Sequence, residues 1–430
     1  MERDDLLARH REVMPSWVSL YYDDPIELVS GQGCYVFDSD GNRYLDFFGG
    51  ILTTMTRHSA PEVVDAIVDQ ASKLLHSSTS YLISPMVELA ERISRLSGID
   101  KAKVFFTTSG TEANDTALLL ASCYRRSNNF LAVRGSYHGR SLSSMAVTGN
   151  TSYSPSSFYP FNVNYILGGS RVRGVMNGLS DQEYIERGVE DLKDLVSNGT
   201  GRAIAALIAE PIQGVAGFAV PPDGYFGRIK EVLDPLGALF ISDEVQTGWG
   251  RTGDHFWGYQ AHGLVPDLIT FAKGLGNGLS LAGVIGTEEV VESLSGASIS
   301  TFGGNQLSSR AGLANLNYLL DHDLQANAKA VGDIMMSSLR SGLGDLNSVA
   351  DIRGKGLMIG IEFVEPESKI PSVELTNLVH NRCKDRGLLV GKGGSEGNVL
   401  RIAPPMEVSV DEARQGVEIL IEVVNMVLAY

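Results

Sequence analysis

Three apolar runs dictate most of what this chain can become. "AIAALIAEP", "GALFISDE" and "DLITFAKG" each finish on a charged residue, Glu210, Asp243 and Lys273, spaced by about 30 residues. Strands so continuously apolar have no wet face, so they belong to a sheet covered on both sides. The spacing is that of a strand, a crossover and a parallel strand, and helix-like sequence lies between the first two runs. "KVFFTT" (103–108) and "NFLAV" (129–133) read as further strands, separated by the helical "TEANDTALLLASCYRR". The expected fold is α/β, a mostly parallel sheet between helices. Ligands of such sheets sit beyond the carboxyl ends of the strands, where all three charged residues fall.

The flanks carry other signals. "CYVFDSDGNRYLDFFGG" (34–50) reads as a hairpin turning at Asp-Gly-Asn. Ser59 and Glu62 have capping-box spacing, with Pro61 at an early helical position, and predict a helix through about Leu75. Another helix begins near Pro85. Segment 150–180, rich in Ser, Asn, Gly and aromatics, reads as a long surface excursion. Near the carboxyl end "MIGIEFV", "LLVGKG" and "VLRIAPP" read as strands of a smaller α+β lobe. A helix from about Val410 closes it, with Ser409 and Glu412 again at capping-box spacing.

At 430 residues the chain can bury a full core, as one large domain with a lobe or as two domains. Its net charge of −16 argues against a nucleic-acid partner, which wants a basic surface. Cys34, Cys123 and Cys383 lie far apart, offer no disulfide or zinc framework, and suit a reducing compartment. No metal site is expected. "MERDDLLARHRE" has no apolar stretch of the signal-peptide kind, and no apolar run approaches the ~20 residues that span a bilayer. The expectation is a soluble, cytoplasmic protein without membrane contact.

Lys273 raises the question of chemistry. A buried lysine loses its proton readily because desolvation disfavours an ammonium. A neutral amine can then add to a carbonyl and form a Schiff base. Equally, a lone lysine at a sheet edge can snorkel to solvent. The glycines of "AKGLGNG" would let a planar ligand approach the backbone, and their order is not that of a Walker A loop. In "ISDEVQTGWGR", Asp243 and Glu244 face opposite sides of their strand, so one can enter a site while the other makes a structural pair. An acid there suits a protonated ring nitrogen, or is a solvated loop acid.

"TTSGTEAN" (107–114) sets Ser109, Gly110 and Thr111 at a helix amino end, a ready phosphate site and also an ordinary N-cap. "GSYHGR" (135–140) holds Tyr137 and His138 between glycines, either a ring for stacking on a planar cofactor or a surface turn. A lysine, an acid, a phosphate cradle and a stacking ring at successive strand ends together describe pyridoxal 5′-phosphate (PLP).

With "TTSGTEAND", "SYHGR", "AEPIQG", "SDEVQTGWGRTG", "FAKGLGNG", "STFGGNQ", "RGKGLMIGIE" and "VLRIAPP" in order, the chain resembles a class III aminotransferase of the fold-type I PLP enzymes over nearly its whole length. "HSSTSYLISPM" and "GKGGSEGNVLRIAPPM" look most like the alanine–glyoxylate and β-alanine–pyruvate subgroup. The resemblance implies a large PLP-binding domain (64–325) with a seven-stranded sheet. It implies a smaller α+β domain (326–430) completed by residues 1–63. It also implies amino transfer from an amino acid or amine, such as alanine, β-alanine or another ω-amine, to a 2-oxo acid such as pyruvate or glyoxylate.

The resemblance further implies roles. Lys273 would be the Schiff-base lysine and proton shuttle, Asp243 would bind the pyridine nitrogen, and Gln246 the phenolic oxygen. Tyr137 would lie against the ring, with His138 beside it. Ser109, Gly110 and Thr111 would hold the phosphate, joined by Thr301 from the partner subunit of a homodimer or a tetramer with shared sites. Arg401 would pair with the substrate carboxylate, with Ile51 on the substrate side and Glu210 near it as an arginine partner or substrate selector.

Three departures stand out, of which the first and third lie near expected subunit or pocket walls and bear on substrate scope. "RHSAPEVV" stands where the family has Gly-His and then His-Pro. Gly283 occupies "LSLAGV", and Gln306 follows "TFGGN" where proline is usual. The same lysine and acid serve a decarboxylating aminotransferase or an aminomutase, which stays the alternative. A non-catalytic PLP-binding homologue would also keep them. A nicotinamide dehydrogenase is disfavoured, since no G-x-G-x-x-G follows the first strand of a βαβ unit with an acid placed downstream.

Overall fold

A computed structural model, which describes residues 3–156, 158–200 and 203–429, gathers the expected strands into one seven-stranded sheet. Ala102–Thr107, Ala282–Thr287, Leu268–Phe271, Leu239–Asp243, Ile204–Ala209, Asn129–Val133 and Asn162–Ile166 lie in that order. Ala282–Thr287 runs against both its neighbours, and the other pairings are parallel. Successive side chains of a strand point to opposite faces. Leu131, Leu207, Phe240 and Phe271 share one core with Leu89, Ile93 and Ile229 from helices Ser84–Leu96 and Tyr225–Leu233. Phe130, Ile208 and Ile241 pack on the other face against Ala113, Ala117 and Ala121 of helix Gly110–Arg125. Both faces are therefore dry, as unbroken apolar strands require.

Segment 150–180 is not wholly a surface excursion. It contributes Asn162–Ile166, the edge strand parallel to Asn129–Val133. Alternating Asn, Val, Asn, Tyr and Ile hid it, because an edge strand is buried less than a central one.

Two four-stranded sheets complete the fold. One joins Leu28–Gln32, Tyr35–Asp38 and Arg43–Asp46 to Leu388–Leu389, so distant parts of the chain share a sheet. The other holds Val349–Lys355, Met358–Phe363, Val399–Ile402 and Gly391–Gly393. "LLVGKG" is thus two strands rather than one: the chain changes sheet at Val390. Gly391 permits this, since a Cβ there would lie 2.2 Å from the Phe48 ring.

The hairpin turns as expected, with Gly41 at φ 84° and the Asp38 carboxylate accepting from Asp40 N, Asn42 N and the Tyr44 hydroxyl. Ser409 and Glu412 form the expected capping box on helix Val410–Leu428. Ser59 and Glu62 do not. Pro61 forces Ala60 extended (ψ 119°), so Ala60 becomes the N-cap without a side-chain bond, and the helix ends at Ala71. Among the described residues no helix is long and apolar enough to cross a membrane, and no cluster of His, Cys, Asp and Glu suits a metal ion.

Candidate active site

The central strands deliver their charged residues to one edge, as the parallel topology demands. A cavity of about 340 Å³ there is lined by Ser109, Gly110, Thr111, Tyr137, His138, Glu210, Asp243, Gln246 and Lys273. Nine residues predicted from separate stretches thus meet in one space.

Lys273 follows the strand Leu268–Phe271 and adopts φ 45°, the left-handed region that a lysine seldom enters. Such strain persists only where surrounding structure enforces it. Enforcement is visible. Asn315 donates to the carbonyls of Gly274 and Leu275, and the Asn277 carboxamide accepts from Met55 N and Thr56 N. A Cβ on Gly274 would meet Met55 Sδ at 2.9 Å. This glycine therefore makes room for Met55 rather than for a ligand, whereas Gly278 does line the cavity. Burial pushes the Lys273 ammonium pKa down, while the negative charges of Asp243 and Glu210 oppose that shift. The Lys273 side chain makes no hydrogen bond among the described residues, and its amine is uncommitted.

Asp243 is buried and held from behind. Its Oδ2 accepts from Asn114 Nδ2 (2.8 Å) and from His138 Nδ1 (2.7 Å), which makes Nδ1 the protonated ring nitrogen. Asn114 is fixed in turn by its Nδ2 bond to the His138 carbonyl and by Thr270, whose hydroxyl donates to Asn114 Oδ1. Oδ1 of Asp243 receives only a long bond from Val245 N (3.2 Å), leaving that oxygen for another donor. Glu244 turns the opposite way. Buried, it accepts from the hydroxyls of Ser242 and Thr247 and from the amides of Gly258 and Tyr259. The adjacent acids thus divide as their strand geometry predicts.

Glu210 is buried after the strand Ile204–Ala209, and accepts from Tyr137 N (3.0 Å) and Gly214 N (2.8 Å). Burial raises its pKa and Asp243 adds to the shift; His138 and the two amides oppose it. Ser109 caps helix Gly110–Arg125 by accepting from Glu112 N. The first-turn amides that follow have no intrahelical partner and present positive partial charge. Thr111 Oγ1 lies where a Cβ on Gly139 would touch it at 2.7 Å, so this glycine keeps the cradle open.

Three predicted residues lie outside the cavity. Arg401, on the strand Val399–Ile402, sits between the rings of Phe48 (5.1 Å) and Phe218 (5.7 Å). It donates to Lys392 O (2.8 Å) and Gly214 O (3.3 Å) and pairs with no carboxylate among the described residues. Its charge is nonetheless felt at Lys273. Ile51 is about half exposed, and Thr301 is exposed. Ser300, next to Thr301, donates to Glu112 of the same chain at 2.6 Å. Asn114, Thr270 and Thr53 were missed. For Asn114 a signal existed: four residues after Gly110 on a helix, it shares the face of the phosphate end.

The donor set fits PLP. An uncommitted amine, a carboxylate with one open oxygen and a helix amino end converge on one cavity. Gln246 adds a buried amide oxygen that finds no partner among the described residues. Asp243 would hold the ring nitrogen, the 109–111 turn the phosphate, and Lys273 the aldehyde carbon.

Comparison with known proteins agrees. Residues 21–424 match the family model described as aminotransferase class-III. The mitochondrial alanine–glyoxylate aminotransferase 2 homolog 2 of Arabidopsis thaliana is 39% identical over 418 residues, covering 95% of this chain and 85% of that one. Human mitochondrial alanine–glyoxylate aminotransferase 2 is 36% identical over 437 residues, covering 96% and 85%. Among solved structures, an (S)-enantioselective omega-transaminase from Thermomicrobium roseum superposes with a TM-score of 0.91 at 31% identity, covering 100% of this chain and 99% of that one.

Proposed function

The chain belongs to the class III aminotransferases, PLP-dependent enzymes, and from that premise we propose its substrates, its site roles and its assembly. The amino donor is a small amino acid or ω-amine, alanine or β-alanine in kind, and the acceptor is a 2-oxo acid such as pyruvate or glyoxylate. The observation that carries this reading is Arg401, a buried guanidinium held by two carbonyls and two rings, with no carboxylate partner among the described residues. A planar fork so placed favours a substrate carboxylate, which it can grip bidentately.

When bound, PLP supplies an electron sink for the substrate carbon that loses a proton. The chain's own residues do the rest. Lys273, with its ammonium disfavoured by burial, is the amine that takes that proton and returns it. Asn114 and His138 keep Asp243 aimed, and its open oxygen would accept from the ring nitrogen. Tyr137 and Gln246 would border the ring, and the first-turn amides at Gly110 and Thr111 would hold the phosphate.

Thr301 completes the phosphate site of a second copy in a homodimer, which fits its exposure here. The division into 1–63, 64–325 and 326–430 and a cytoplasmic location belong to the same reading. A donor-by-acceptor activity panel tests it, together with Arg401→Gln. The variant should raise KM for the 2-oxo acid about 10- to 100-fold, as expected for a lost charge-assisted pair, and leave cofactor content unchanged. An unaltered KM would remove Arg401 from the substrate site.

A further inference from the structure

A second cavity, about 780 Å³, exceeds the 340 Å³ of the active site and lies away from it. Its walls are the Val349–Lys355 strand on one side and the segments around Ser170 and Pro221–Pro222 on the other. Five cations line it. Arg171 is matched by Asp181 (2.6 Å) and Lys355 by Asp223. Arg340 and Lys369 are not matched: they donate to the carbonyls of Ile352 and Asn347, both at 3.2 Å, and form no ion pair among the described residues. The fifth, Arg353, is 8% exposed. Its Nη1 meets Asp351 (3.0 Å) and Glu362 (2.7 Å) and its Nε meets Gly217 O, but its Nη2 is buried without a partner.

Five cations thus meet four carboxylates, Asp181, Asp223, Asp351 and Glu362, which leaves a small positive excess in this cleft on a chain of net charge −16. Arg340 and Lys369 have no carboxylate among the described residues, and a buried guanidinium nitrogen without an acceptor costs desolvation energy. A multivalent anion would relieve both. Val172, Pro221 and Pro222 provide an apolar wall beside the charges, which suits an anion with a carbon body better than an inorganic ion.

We propose that this cleft binds a small organic polyanion, a di- or tricarboxylate or a phosphate ester, through Arg340 and Lys369. The test is isothermal titration of the cofactor-loaded protein with citrate and, separately, with fructose 1,6-bisphosphate, at physiological ionic strength. Saturable binding of at least one is expected, and the preferred probe tells carboxylate from phosphate ester. Affinity should fall about tenfold or more in the Arg340→Gln/Lys369→Gln variant and stay unchanged in Arg401→Gln, which alters only the substrate end. If the double variant does not fold, Lys369→Gln alone, at an exposed position, should still weaken binding about threefold or more. Binding that survives the change at Arg340 and Lys369, or that disappears in Arg401→Gln, would overturn the proposal. So would the absence of saturable binding by either probe.

Discussion

The back wall of the active site and its open flank are built on opposite terms. Behind Asp243, the side chains of Asn114, His138, Glu244 and Thr270 are buried and bonded within one chain. On the flank Thr301 is exposed, and Tyr81, Leu82, Ile299 and Phe302 are 70%, 98%, 66% and 59% exposed. So much uncovered apolar surface is unusual on an isolated chain. The contrast teaches that the acid-and-amine half of the site is bonded within a single copy, whereas the flank beside the phosphate end is left uncovered, as the proposed second copy requires.

The most direct way to break this contrast is to empty its first side. Lys273→Ala should lower turnover by about 10⁴-fold or more, and borohydride should no longer fix the cofactor to the chain. Turnover within tenfold of wild type would remove Lys273 from the chemistry. Asp243→Asn should keep the cofactor yet lose roughly 10³-fold in kcat, the scale of a lost charge aimed at the transition state. Near-normal turnover would show that a different acid serves the ring.

Glu244 sharpens the comparison from the neighbouring position. Glu244→Ala strands four buried donors and should cost about 3 kcal/mol of stability, read as a lowered Tm, with little change in kcat of the folded enzyme. A loss of kcat without a loss of Tm would reverse the roles assigned to the two acids.

On the open flank the effects are smaller. Thr301→Ala should weaken cofactor retention about tenfold, the worth of one hydrogen bond to a charged group. Mixing it with Lys273→Ala should restore activity, because one hybrid site then holds both intact residues. Mixed dimers no more active than their parents would assign Thr301 to its own subunit's site. The smallest effect concerns Glu210. Its folded pKa is raised to about 7 by burial and by Asp243. The stability this confers is present below the ordinary carboxylate range and is lost as pH rises through neutrality. The Tm difference between wild type and Glu210→Gln should therefore drift against wild type from pH 5 to pH 8, and a flat difference would contradict the shift.

Legibility in the sequence followed burial. Strands with no wet face announced themselves, and their polar ends located Glu210, Asp243 and Lys273. The capping box at Ser409 was readable because its geometry is local. At Ser59 the same spacing misled, since Pro61 moved the cap one residue along. Asn162–Ile166 and the break at Val390 were hidden for one reason: an edge strand and a sheet change are set by neighbours, which no short window contains. Asn114 stood within a quoted motif, yet its role depends on Asp243 and Thr270, which reach it only through the fold.

The pairing of Leu388–Leu389 with Arg43–Asp46 has a consequence in time. A chain grows from its amino end, and domains tend to fold as they emerge. The early hairpin must wait for its fourth strand until most of the protein has been made, whereas the sheet that carries Lys273 can close sooner. Loop closure over such a separation is slow and comes late. The first strands of this molecule are thus among the last to find their place in a completed sheet.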